Sequence, residues 1–84
     1  MSEEDNLLNI LYELYMSNIK YGDFNSYHEG YAILLEEVDE LWYEIKNNKI
    51  DGFEDRIKNE AKQVSAMALK LMNYVDTNKG VKKE

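Results

Sequence analysis

Apolar residues recur every three or four positions over most of this chain, the spacing that places them along one face of an α-helix. The first run spans about Glu3 to Lys20. In it Leu7, Leu11, Leu14 and Asn18 form one stripe, and Leu8, Tyr12, Tyr15 and Ile19 form the adjacent one. Ser2 stands in N-cap position ahead of Glu3, Glu4 and Asp5, whose charges suit a helix N-terminus. Tyr21 to Asn25 reads as a connector. Ser26 or Asn25 then caps a second helix, with Glu29 in capping-box position three residues after Ser26. Its stripe is Tyr27, Tyr31, Leu34, Val38, Leu41 and Ile45, and Asn47 to Gly52 ends it. A third helix begins near Phe53 and follows Phe53, Ile57, Ala61, Val64, Ala68, Leu71 and Val75, flanked by Met67 and Met72. Residues 76–84 are polar and lysine-bearing, and 78–84 are expected to fray.

These runs predict an all-α protein, an antiparallel bundle of about three helices within one domain spanning 1–84. Two long helices are expected to pair through a short loop, with a shorter one packed across them. The chain has 84 residues and no cysteine, so no disulfide reinforces a core that is small at this length. The stripes carry more apolar surface than three helices hide among themselves. A homodimer or tetramer is therefore expected.

The formal net charge is −7, from 17 acidic and 10 basic side chains. An acidic chain is poorly suited to nucleic-acid backbones and to anionic membranes. No apolar run approaches membrane-spanning length, and the acidic start lacks the apolar core of a signal peptide. A cytoplasmic protein is expected. Without cysteine and with the single histidine His28, a bound metal has to be held by carboxylates, which selects a hard ion such as Mg²⁺, Mn²⁺ or Ca²⁺.

The charge is concentrated. Between His28 and Glu60 there are ten acids and four bases. Charged stretches on helices are mostly solvated faces, and Glu36 fits that description. Glu37 does not: it falls ~60° from Leu34, inside the apolar arc, with Glu40 ~120° away and Glu44 above both. On the third helix Glu60 lies ~60° from Ile57 on the same side, and Gln63 lies ~120° away. Paired helices bring Glu37, Glu40, Glu60 and Gln63 together. Carboxylates that close repel one another unless a cation sits among them, or Glu37 and Glu60 pair instead with Lys62, Arg56 or a tyrosine hydroxyl.

The segments Glu36-Glu37-Val38-Asp39-Glu40 and Glu60-Ala61-Lys62-Gln63 resemble the signature of the all-α nucleoside triphosphate pyrophosphohydrolase superfamily. That signature is E-E-x-x-E on one helix and E-x-x-D on the next. The likeness is to small MazG-like members and covers roughly residues 24 to 75. The resemblance implies Mg²⁺- or Mn²⁺-dependent hydrolysis of a nucleoside triphosphate to the monophosphate and pyrophosphate, in a dimer or tetramer. It implies Glu37, Glu40 and Glu60 as metal ligands with Gln63 beside them, and Glu36 or Glu40 as the acid that activates water. Lys58 and Lys62 are candidates to contact phosphates, and Trp42 to stack on a base. Gln63 departs from the signature aspartate; its amide oxygen can ligate a metal but adds no charge. A weak enzyme, a nucleotide binder without turnover, and a member that uses Glu44 instead all follow from that change. The alternative from a different class is a helical interaction module whose acids are simply solvated.

Overall fold

Each helix begins at a stop that the chain writes into its own residues. In the computed structural model, which describes residues 2–80, three helices form: α1 (Glu3–Tyr21), α2 (Tyr27–Lys46) and α3 (Phe53–Asn78). Ser2 Oγ accepts a hydrogen bond from the Asp5 amide and the Asp5 carboxylate accepts one from the Ser2 amide, closing a capping box on α1. Ser26 Oγ accepts from the Glu29 amide at 3.0 Å. Glu29 does not close the reciprocal bond with Ser26; its carboxylate takes the Asn25 amide at 2.9 Å, a bond that holds its pKa below the usual value. Gly22 ends α1 and Gly52 precedes α3, each at positive φ, a conformation that side chains with a Cβ rarely adopt.

The helix boundaries match the sequence expectation closely, except that α3 continues beyond Val75 to Asn78. Asn78 is buried there, its side chain donating to the Tyr74 carbonyl at 2.8 Å. The expected fraying at 81–84 lies outside the described residues.

The arrangement differs from expectation in which helix is central. α3 is the longest element and carries both neighbours: α2 packs on it and α1 packs on it. No Cα of α1 lies within 8 Å of one of α2 among the described residues. The first helix therefore lies against α3 alone rather than across a pair. The core is small: Phe24, Ala66, Met67 and Tyr74, with Ile10, Tyr27, Ile33, Leu34 and Leu71 packed around it. Tyr74 meets the rings of Tyr27 and Phe24 edge-on, at centroid distances of 5.2 and 6.2 Å.

Two expected stripes are rotated relative to the burial observed. On α3 the enclosed positions are Ala66, Met67, Lys70 and Tyr74, because contact from two sides moves the buried centre away from the Ala61–Ala68–Val75 row. On α2 the buried and half-buried positions follow the row Tyr27, Gly30, Leu34, Glu37, Leu41 and Glu44, with Glu29 and Ile33 beside it. Tyr31, Val38 and Ile45, expected in that row, are exposed, and Tyr31 is 61% exposed. The buried row is displaced by ~50° from the apolar one.

Gly30 marks the closest approach of α2 to the core. A Cβ there would lie 2.9 Å from Leu71 Cδ1 and 3.0 Å from the Phe24 ring. Alanine is intrinsically better than glycine in a helix by ~1 kcal/mol, but overpacking against a buried ring costs ~1–3 kcal/mol. Gly30→Ala is expected to lower stability by roughly 1 kcal/mol in denaturant titration; unchanged or raised stability would show that the Phe24 ring is free to shift.

Candidate metal centre

Glu37 belongs to the half-buried row of α2, as its place inside the apolar arc predicts. Glu60 comes to it from α3, and Glu40 follows one turn after Glu37. One carboxylate oxygen from each of Glu37, Glu40 and Glu60 lies within 4.8 Å of the others. Glu37 and Glu60 are half-buried and Glu40 is exposed. Glu60 Oε2 is shut off from solvent and has no hydrogen-bond partner.

Arg56 and Lys62 both pair elsewhere. The Arg56 guanidinium donates from Nε to Glu44 Oε1 at 3.1 Å and holds the Ile50 and Asp51 carbonyls with its other nitrogens. Lys62 pairs with Glu13 of α1 at 3.6 Å. Glu44 is thereby engaged with Arg56 rather than extending the acidic ridge as a spare acid.

The electrostatic consequences follow. Burial, then the charges of Glu40 and Glu60, push the Glu37 carboxyl up to about 7. Burial and the Glu40 charge raise Glu60 in the same way. A metal ion that binds here must displace protons at neutral pH.

The cluster fits a hard cation. Oxygens bonded to one ion at 2.0–2.6 Å lie no more than ~4–5 Å apart, and these three fall within 4.8 Å of one another. The unpartnered Glu60 oxygen and the unneutralised charges are the features that an ion would relieve.

Beside the cluster lies a cleft of about 730 Å³ between α1 and α2, floored by α3. Glu36 and Glu37 line it from α2, Gln63, Met67 and Lys70 from α3, and Ser17 from α1. Glu36 is exposed at this cleft, and its charge adds to the pressure on Glu37. Gln63 is half-buried in the wall that it shares with Glu37.

Three sequence-predicted residues are not brought to the cluster. Lys58 and Lys62 line a different cleft, of about 380 Å³, with Asn6, Asn9 and Ile10. Each is two residues from Glu60, hence ~160° around α3 from it. Trp42 is 56% exposed and carries the Lys46 ammonium over its ring at 5.6 Å. It stands two residues after Glu40, on the far side of α2.

One residue escaped the sequence reading. Lys70 is only 4% exposed, and its ammonium donates to Ser17 Oγ at 3.0 Å. Its signal was its register: Gln63, Met67, Lys70 and Tyr74 form a single row on α3 with apolar members before and after the lysine.

No protein-family model, curated protein or solved structure matches this chain. No helix among the described residues is long and apolar enough to cross a membrane.

Proposed function

We propose that this chain is a MazG-like nucleoside triphosphate pyrophosphohydrolase that works with Mg²⁺ or Mn²⁺ as a homodimer or tetramer of antiparallel helices. The observation that carries this reading is that a carboxylate oxygen from each of Glu37, Glu40 and Glu60 lies within 4.8 Å of the other two, and the buried Glu60 Oε2 beside them has no hydrogen-bond partner. Their order along the chain, two acids on α2 and one on α3, is the order of the superfamily signature. Glu37, Glu40 and Glu60 would hold the ion, with the Gln63 amide oxygen as a neutral fourth ligand. The bound ion supplies charge neutralisation of the triphosphate and polarisation of its α-phosphorus.

The chain's own groups do the rest. Glu36, exposed beside the cluster, or Glu40 takes a proton from the attacking water. The new bond forms between that water oxygen and the α-phosphorus, the bond to the bridging oxygen breaks, and pyrophosphate leaves. Lys58, Lys62 and Trp42 stand away from the carboxylate cluster within one chain. The acidic cleft selects a cation-complexed nucleotide over a free one.

A titration of Mn²⁺ against melting temperature, with and without a panel of nucleoside triphosphates, tests this. Saturation near one hundred times Kd stabilises by about 2.7 kcal/mol, and pyrophosphate release should follow in the preferred nucleotide. No shift at about 10 mM metal would overturn the reading. It would favour a helical interaction module, a role that the exposed apolar faces suit. Gln63→Asp adds a ligand charge and is expected to tighten Mn²⁺ binding about tenfold.

A further inference from the structure

A lysine is seldom fully enclosed unless a carboxylate pairs with it. Lys70 is enclosed, yet no carboxylate lies within ion-pair distance of its ammonium among the described residues. Asp23 and Glu29 act on it only at longer range, too weakly to offset the burial that lowers its pKa. Of the three donors on an ammonium, one goes to Ser17 Oγ at 3.0 Å. The face of the Phe24 ring, 4.9 Å away, supplies the remaining contact. This lysine lines the cleft of about 730 Å³ and also a neighbouring one of about 240 Å³ bounded by Asn18, Asp23 and Asn73. Donors without acceptors on a desolvated cation, at the wall of an open cleft, are what an anionic oxygen would complete.

Position along α3 says which anion. Lys70 stands two turns after Gln63 on the same row, ~10 Å along the helix from the metal-cluster end of the cleft. A ligand held at both ends must be extended and carry negative charge away from the metal.

We propose that Lys70 anchors the polyphosphate chain of the substrate, binding a phosphate oxygen remote from the carboxylate cluster. This assignment rests on reading the site as one for nucleoside triphosphates. Ser17 positions the ammonium by fixing its direction.

Inorganic tripolyphosphate is the probe, titrated calorimetrically into the full chain in saturating Mn²⁺ and again in chelator. Lys70→Met and Lys70→Gln are each expected to weaken tripolyphosphate about tenfold or more, the loss of one charge-assisted hydrogen bond. Mn²⁺ affinity alone should be unchanged, and Lys70→Arg should retain most of the tripolyphosphate affinity. A buried lysine with a purely structural role would leave tripolyphosphate affinity unaltered in all three variants, and that result overturns the proposal. The wild-type Lys70 ammonium resonance in NMR must also move when tripolyphosphate is added; a stationary resonance overturns the proposal even where the variants fail to fold. If Mn²⁺ does not bind, the metal reading fails by itself. Lys70-dependent binding of tripolyphosphate in chelator then still supports the anchor, and no binding under either condition overturns it.

Discussion

Glu37→Gln is expected to raise the melting temperature of the metal-free protein at pH 8 by roughly 5–10 °C and to abolish its stabilisation by Mg²⁺ or Mn²⁺. The sign follows from the direction of the shift. The Glu37 carboxyl ionises at about 7 in the folded chain, against 4.5 ordinarily, because burial and the charges of Glu40 and Glu60 disfavour its anion. Folding therefore favours the protonated form. That contribution is complete below about pH 4.5 and is lost as pH rises through about 7. Above that, the ionised side chain is a net cost, on the order of 1–2 kcal/mol once solvent screening of a half-buried group is allowed for. Glutamine keeps the shape without the charge, so the cost disappears. At roughly 4–8 °C per kcal/mol for a domain of this size, the melting shift follows. Metal-free wild type should likewise melt higher at pH 5.5 than at pH 8, and saturating metal should remove that difference. A drop in melting temperature for Glu37→Gln in chelator at pH 8 would mean that the carboxylate is held by a favourable partner, contrary to the cluster as described.

The same residue shows how far the sequence reaches. The helical wheel placed Glu37 and Glu60 inside apolar arcs, and the structure brings them together with Glu40. That grouping was legible because two carboxylates in matching register on successive helices are an anomaly that needs no tertiary knowledge. Caps and glycine breaks located the helices for a similar reason, since both are local. The orientation of the helices was not legible. The arc on α2 runs from Glu37 through Leu34 to Tyr31, wider than one neighbour covers, and periodicity cannot say which edge faces inward. α3 took the edge with Gly30 because a glycine lets two backbones come close, with the Phe24 ring and Leu71 in the space where a Cβ would be. The same rotation explains Lys70. On a helix contacted from two sides, a lysine between Met67 and Tyr74 is enclosed, although by composition it reads as surface. Lys58 and Lys62 are each two residues from Glu60, and a two-residue step on a helix turns a side chain nearly to the opposite face.

Leu11→Glu combined with Tyr15→Glu is expected to convert the protein to a monomer and to lower its melting temperature by roughly 10 °C or more. Among the described residues five hydrophobic side chains are buried while seventeen large ones are exposed, so most of that apolar material does not contribute to the protomer's own core. On α1 the exposed set is concentrated: Leu7, Leu8, Leu11, Tyr12, Tyr15 and Ile19 are all more than half exposed, while Ile10, Glu13, Leu14 and Ser17 are the positions at least partly buried. α2 presents a second such edge in Tyr31, Leu35, Val38 and Trp42. Burying one side chain of this kind contributes ~1.5–3 kcal/mol, so an α1 face shared between two copies would add substantially to the small core of the separate chain. Sedimentation equilibrium should find wild type at twice the chain mass or more, with a melting temperature that rises with concentration. The double variant should sediment as one chain, and Lys58→Glu, on the polar side of α3, should leave association intact. A wild-type protein that stays monomeric at about 100 μM would refute the association. The monomeric variant also separates the two halves of the functional reading. Glu37, Glu40 and Glu60 meet through α2 and α3 of a single chain, so Mn²⁺ should still raise the variant's melting temperature. If metal binding vanished together with association, the centre would need a group from the second copy, and the three carboxylates of one chain would not be sufficient to hold the ion.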